Sequence, residues 1–134
     1  MKTIHQSGNF TSSEVTLDTD PTNWNYSIHP ALADLDEDGD YDLVIGNYYD
    51  GYLRYYKQTT PGNFVEETGD WNPVQKTGNP FDGFDLGLSA SPAFIDFNDD
   101  GLPDLFVADE DGYYDNKYSD KIIIKTQRTV FLQK

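Results

Sequence analysis

The chain has 134 residues, no cysteine and a formal net charge of -15. Its length suits one domain, 1–134, and its charge disfavours nucleic acid or an anionic membrane surface as a partner. The absence of cysteine excludes a disulfide framework, no apolar stretch approaches the ~20 residues that span a bilayer, and no signal peptide is visible at the N-terminus.

The composition predicts an all-β chain, because tyrosine and phenylalanine are abundant, with 10 and 8 residues, and helical periodicity is scarce. In chain order, the first segment is 1–20. Its Gly-Asn-Phe sequence at 8–10 recurs at 62–64, where it leaves a predicted turn. This similarity predicts an N-terminal half blade, a pair of strands that begins the fold, with chance recurrence in a loop-rich protein as the alternative.

The next segment, 26–67, contains four short apolar or aromatic runs separated by turn residues, which indicates four strands. The predicted strands are 30–33, 43–46, 52–57 and 63–67. Residues 68–88, rich in Gly, Asn, Asp and Pro, are expected to connect this unit to the next one.

A second unit, 88–133, repeats the first at a constant offset of 62 residues. Its third and fourth strands are predicted at 121–125 and 129–132, after an insertion at 113–119. A repeat of roughly sixty residues with four short strands is typical of a β-propeller blade rather than of a sandwich. The fold class expected is therefore two four-stranded β-propeller-type blades, 26–67 and 88–133, with the half blade before them.

The best guide to function is a nine-residue acidic loop found in both units, loop one at 34–42 and loop two at 96–104. Calcium takes about six to eight hard oxygen ligands, which alternate residues around a sharp glycine turn can supply. Side chains at loop positions 1, 3, 5 and 9 are the expected ligands, with a bidentate carboxylate at position 9 of loop one. Position 7 is Asp in loop one and Leu in loop two, so its side chain is not a shared ligand and the backbone carbonyl is the group expected to bind. The predicted ligands are Asp34, Asp36, Asp38, Asp40 and Asp42 in loop one and Asp96, Asn98, Asp100, Leu102 and Asp104 in loop two.

Two other kinds of loop share some of these residue types. An EF-hand requires glutamate at position 12, where this chain has Ile45 and Val107, so that interpretation fails. An acidic turn without metal is the remaining alternative, because Asp, Asn and Gly are ordinary turn residues. In each of the two matched copies, the crowded carboxylates would repel one another without a cation, which favours Ca²⁺ at both loops.

The residues 92–107, their approach at 79–85 and the parallel first copy at 30–56 resemble the FG-GAP/VCBS repeat family. Its members include the calcium-loop propeller blades of integrin α-chain heads and of many secreted bacterial proteins. The resemblance implies a calcium loop between the first two strands of each blade. Family members usually carry about seven blades in one chain, whereas two or two and a half cannot close a ring.

An open stack of blades leaves apolar faces and strand edges exposed, which predicts self-assembly into a ring or a filament. The expected function is a calcium-binding extracellular structural or adhesive module, since weak loop sites would be filled by the millimolar calcium outside cells. The alternatives are a ligand-recognition fragment of a larger propeller, with a carbohydrate or a cell-surface protein as partner, and an accessory piece of a secreted hydrolase. No enzyme activity is expected, because His5 and His29 lie in no catalytic motif.

Overall fold

The computed structural model describes residues 12, 14, 28–48, 51–84, 88–110 and 121–125. Within these residues it contains seven strands and no helix, and therefore no helix long and apolar enough to cross a bilayer. The strands are β1 (His29–Ala33), β2 (Asp42–Gly46), β3 (Arg54–Thr60), β4 (Asn63–Glu67), β5 (Leu88–Ile95), β6 (Asp104–Glu110) and β7 (Lys121–Lys125). The prediction of an all-β chain is confirmed.

The strands form two antiparallel sheets that follow the repeat. Sheet one has the order β1-β2-β3-β4, and sheet two has the order β5-β6-β7. Each sheet is a simple meander, because each strand pairs with the next one along the chain. The predicted strands at 129–132 and 1–20 and the insertion at 113–119 lie outside the described residues, apart from Ser12 and Glu14, so the number of blades stays a prediction.

The third strand of sheet one differs from its predicted bounds, 52–57, at both ends. Leu53 precedes the ladder because its side chain is buried in the core and its carbonyl accepts a hydrogen bond from Asn79 Nδ2 at 2.9 Å. At the other end, Gln58 Oε1 accepts a hydrogen bond of 2.7 Å from the N–H of Gly62. The φ of 79° at Gly62 suits a tight turn, and pairing of β3 with β4 therefore continues to Thr60.

The core lies between opposite sides of the two sheets. Because the two sheets are copies of one unit, their equivalent sides are given the same name. Side A of sheet one holds Ala33 and Val44. Side B is the opposite side, and in sheet two it holds Leu105 and Val107. Side A of sheet one packs on side B of sheet two. The buried core residues are Ala33, Leu35, Val44, Leu53, Tyr55, Phe81, Ala90, Leu105 and Val107, with Trp71 and Phe94 packed against them.

The connection between the sheets, 68–84, is part of this core. Two isolated bridges, Asp70 with Asn79 and Asn72 with Thr77, hold its shape. Its aromatic residues reach both sheets: the Trp71 ring lies edge-on to Tyr55, and the Phe81 ring is tilted against Phe94, each pair with centroids 6.2 Å apart. The connection thus fixes how the two sheets sit on each other.

The sheets approach backbone to backbone at the end of β2. A Cβ atom at Gly46 would collide with the carbonyl oxygen of Ala90 in β5 and lie 3.2 Å from Leu53 Cδ2. Beside it, the N–H of Ser89 donates to the carbonyl of Tyr48 at 3.1 Å. Only glycine permits this contact at position 46.

Candidate metal centres

Loop one joins β1 to β2, and its backbone N–H groups donate to its own carboxylates. Asp34 and Asp42, at its two ends, accept three of these bonds and draw the loop around its acidic side chains. The five bonds are Asp38 N to Asp34 Oδ1 (3.1 Å), Gly39 N to Asp34 Oδ2 (3.0 Å), Asp38 N to Asp36 Oδ1 (3.3 Å), Asp40 N to Asp38 Oδ1 (3.0 Å) and Leu35 N to Asp42 Oδ2 (3.0 Å).

Loop two joins β5 to β6 and repeats all five bonds at the offset of 62 residues. Asn98 accepts through its amide oxygen where loop one has the carboxylate of Asp36. The bonds are Asp100 N to Asp96 Oδ1 (3.1 Å), Gly101 N to Asp96 Oδ2 (2.9 Å), Asp100 N to Asn98 Oδ1 (3.2 Å), Leu102 N to Asp100 Oδ1 (2.9 Å) and Phe97 N to Asp104 Oδ2 (2.9 Å). One loop structure is therefore built twice.

The backbone dihedrals agree with this conclusion. Position 6 is glycine in both loops, with φ of 95° at Gly39 and 84° at Gly101, as the sharp turn requires. Position 4 is also left-handed in both, with φ of 62° at Glu37 and 57° at Asp99. The loops share their least common backbone conformations as well as their hydrogen bonds.

The structure brings together part of the predicted ligand set. The carboxylates of Asp34, Asp36 and Asp42 lie within 4.8 Å of one another and could hold a metal ion. Asp38 and Asp40 are exposed and lie outside this trio. In loop two, the amide Asn98 stands at the middle position of the trio, so the described residues place only two carboxylates at the corresponding positions.

Whether a cation fits can be judged from the buried carboxylates that close the loops. Asp42 is fully buried and satisfied: the Tyr55 hydroxyl donates to Oδ2 at 2.9 Å, and Gln58 N donates to Oδ1 at 3.0 Å. Asp104 is equally buried, yet its Oδ1 has no hydrogen-bond partner in the described part of the chain. An unsatisfied buried oxygen is costly, and a hard cation would satisfy it. The all-oxygen donor sets of both loops fit calcium.

The pKa values at loop one follow from burial and pairing. Burial raises the pKa of Asp42, although the hydrogen bonds from Gln58, Leu35 and Tyr55 oppose the shift. Burial also raises the pKa of Tyr55, and its bond to Asp42 adds to the rise, so the phenol keeps its proton and acts as a donor. Burial acts to raise the pKa of Asp36 too, but the hydrogen bond and charge of Lys57 outweigh it and lower the pKa.

Three residues of β3 that support loop one were not predicted from the sequence: Tyr55, Lys57 and Gln58. Tyr55 and Gln58 donate to Asp42, and the Lys57 ammonium forms an ion pair with Asp36 Oδ2. The alternation of side chains along β3 was a signal for two of them, since Tyr55 and Lys57 lie two residues apart and share one side of the strand. This alternation identifies Tyr55 and Lys57 as neighbours of loop one only when the pairing of β3 with β2 is known.

We expect Tyr55→Phe to lower the free energy of unfolding in chelator by about 2 kcal/mol, because hydrogen bonds to charged groups contribute roughly 1.5–3 kcal/mol. The phenyl ring keeps its packing against Trp71, so the loss isolates the bond to Asp42. Urea unfolding measures it. Tyr41→Phe, at an exposed tyrosine next to Asp42, is the matched control. Equal stability of the two variants would contradict the prediction.

The fold and the loops define a class: an all-β repeat protein in which an acidic loop joins the first two strands of each sheet. The family model of the FG-GAP-like repeat matches residues 34–107, which is more than half of the chain and includes both loops. The chain belongs to the FG-GAP-like repeat family, which confirms the resemblance drawn from the sequence. No curated protein and no solved structure shows significant similarity to the chain.

Proposed function

We propose that this chain is a calcium-binding structural or adhesive module that acts outside cells. The observation that carries the proposal is the duplicated loop, which gives oxygen-bearing side chains the same five backbone hydrogen bonds in both copies. Calcium would be held by the side chains of Asp34, Asp36, Asp38 and Asp42 with the carbonyl of Asp40, and by those of Asp96, Asn98, Asp100 and Asp104 with the carbonyl of Leu102.

Bound calcium would supply positive charge where carboxylates crowd together in a chain with a formal net charge of -15. Each loop connects two paired strands, so its ligands join β1 to β2 or β5 to β6. A stabilising role follows, since a ligand that binds only the folded state raises its stability. An extracellular location follows from the millimolar calcium there, which fills weak sites.

Calorimetric titration of the full chain with CaCl₂ tests the calcium part of the proposal. We expect two ions per chain, with one lost in Asp38→Ala and the other in Asp100→Ala. Asp82→Ala, at an exposed acidic residue outside both loops, is the control and should retain two. Saturation with one ion, or no binding at millimolar calcium, would contradict the proposal.

The proposal includes self-assembly, which is supported by the different burial of equivalent residues in the two sheets. Ala33 and Leu35, on side A of sheet one, are 4% and 3% exposed in the core, whereas their counterparts Ile95 and Phe97 in sheet two are 59% and 66% exposed. The Phe97 ring lies edge-on to Phe106, with 5.7 Å between the centroids. Both sheets thus have this apolar surface on side A. Among the described residues it is covered in sheet one and exposed in sheet two.

An exposed apolar patch of this kind favours association. We propose that a second copy of the chain covers side A of sheet two. A contact with a different surface of that copy would be heterologous, and side B of sheet one offers it only Leu32 as a large exposed hydrophobic residue, because Ile45 and Tyr56 on the same side are each 1% exposed. A heterologous contact would give a ring if the rotation closes and a filament if it does not.

Size-exclusion chromatography with light scattering tests this part. In calcium, the wild-type chain is expected to form multimers, and the double variant Ile95→Ser with Phe97→Ser to run as a monomer. Val74→Ser removes an even more exposed apolar residue from the connection and should leave the multimers intact. A wild-type monomer at ~100 µM would overturn the self-assembly proposal without affecting the calcium sites.

A second candidate function is ligand recognition, as a fragment of a larger propeller. An open groove of about 700 Å³ lies between the two loops, with Leu32 and Phe94 in its lining and Asp34 and Asp96 at its loop ends. A groove that combines apolar and oxygen-rich walls suits a carbohydrate or a protein loop. A glycan array in calcium would favour this function if it gave hits that Phe94→Ala abolished.

A further inference from the structure

Loop one has a cation of its own. The Lys57 side chain extends from β3 and places its ammonium against Asp36 Oδ2 in an ion pair. The Asp36 side chain is 1% exposed and that of Lys57 is 28% exposed, so the carboxylate is buried while the lysine remains partly in contact with water. Asp36 is one of the three carboxylates that could hold a metal ion. The lysine therefore binds the same group that a metal would use.

The other basic contact of loop one is different in kind. Lys76 Nζ lies 2.7 Å from Glu37 Oε1, but the Glu37 side chain is 50% exposed and belongs to no predicted ligand position. Loop two has no lysine or arginine paired with a carboxylate in the part of the chain that the structure describes. Lys57 is thus specific to loop one and to a buried ligand.

The two copies differ at both partners of this ion pair. Position 3 is Asp36 in loop one and Asn98 in loop two. Aligning the pairs Leu43 with Tyr56 and Leu105 with Lys125 makes Thr126, which lies outside the described residues, the sequence counterpart of Lys57. The two charged residues of the first copy thus align in sequence with two uncharged residues of the second.

The charges of the two sites become equal when Lys57 is counted. Loop one has carboxylates at the four side-chain ligand positions, and loop two has three carboxylates and an amide. Four negative charges and one ammonium leave three negative charges in loop one, the same number that the ligand side chains of loop two carry by themselves. The additional carboxylate of loop one is offset by a residue built into the neighbouring strand.

We propose that Lys57 is the internal counter-cation of Asp36: it stabilises loop one when no metal is bound and lowers the calcium affinity of that loop. The inference rests on the proposed calcium function. A buried carboxylate without a partner is strongly unfavourable, which Lys57 prevents. The same ammonium repels a second cation at Asp36, so the loop binds calcium less tightly than four carboxylates would without it.

The test uses the full chain with Asp100→Ala as the background, so that loop one is the site titrated. Lys57→Met is expected to lower the calcium Kd of loop one about tenfold, which corresponds to about 1.4 kcal/mol. In chelator it is expected to lower the melting temperature by about 5 °C. Lys57→Arg, which keeps the charge, should resemble the wild type in both measurements.

Two further variants separate the ion pair from a general charge effect. Lys76→Met removes the same charge near the same loop and should change the Kd less than twofold. In Asp36→Asn, which gives loop one the ligand set of loop two, adding Lys57→Met should no longer tighten binding. An unchanged or weaker calcium affinity in Lys57→Met, or an equal gain in the Asp36→Asn background, would overturn the inference.

Failure of the proposed function would look different. If the wild-type chain bound no calcium, the calcium function and the effect of Lys57 on affinity would both fall. Thermal unfolding in chelator would still show whether Lys57 stabilises loop one as a counter-cation, since that measurement requires no metal. Equal melting temperatures of Lys57→Met and wild type in chelator would remove that role as well.

Discussion

Removal of calcium with a chelator is expected to lower the melting temperature of this chain by about 20 °C. A ligand present at 100 times its Kd stabilises a fold by about 2.7 kcal/mol per site, and each kcal/mol corresponds to roughly 3–4 °C at this chain length. Two filled loops therefore account for the shift. Differential scanning calorimetry in ~5 mM CaCl₂, above the ~0.1–1 mM Kd range of extracellular calcium modules, and in excess EGTA would measure it.

Single loop variants divide this effect between the sites. Asp38→Ala and Asp100→Ala should each lose about half of the calcium-dependent shift, because each removes a ligand from one loop. In EGTA the same variants should melt within about 2 °C of the wild type, since the bond that each side chain accepts comes from the backbone of its own loop, exposed at Asp38 and part-buried at Asp100. Asp82→Ala should behave as the wild type in both buffers. Coincident wild-type melts with and without chelator would contradict the prediction.

Gly46→Ala is expected to destabilise the chain by about 3 kcal/mol, whether or not calcium is present. The new methyl group would meet the carbonyl oxygen of Ala90, which is backbone and cannot rotate away. Overpacking of a core typically costs about 1–3 kcal/mol, and the upper end applies where the neighbour is not a side chain. Urea unfolding in calcium and in EGTA would measure the loss.

The repeat offers a matched control for this substitution. Ala108 occupies the position of Gly46 in sheet two and is exposed, so its own methyl group meets no packed sheet. Ala108→Val should change the free energy of unfolding by less than about 0.5 kcal/mol at a protein concentration where the chain is monomeric. A loss below 1 kcal/mol in Gly46→Ala would show that the two sheets can move apart at little cost.

The strands and the loops could be predicted because their signals are local. The bounds of β4 and β7, 63–67 and 121–125, were predicted as they are observed, since turn residues precede each one. The loop ligands could be named because their spacing within nine residues reflects one chemistry. The start of β3 could not be predicted, because the carbonyl of Leu53 accepts a hydrogen bond from Asn79, 26 residues further along the chain. Contacts at that separation depend on tertiary packing.

The support of loop one by β3 could not be predicted for a related reason. Whether Tyr55 and Lys57 face Asp42 depends on the register between β2 and β3, and a shift of one residue would turn both side chains to the other side of the sheet. The sequence likewise does not state which side of each sheet is covered. The difference between Ala33 and Ile95 appears only when the sheets are packed together.

The bonds that both loops make to their own backbone have a consequence for ion exchange. A loop whose oxygen ligands are already held in place by the fold needs little ordering when an ion binds, so the entropic cost of binding is small. Ions could then enter and leave at the rim while the strands stay paired. The paired strands would then need no rearrangement when an ion is gained or lost.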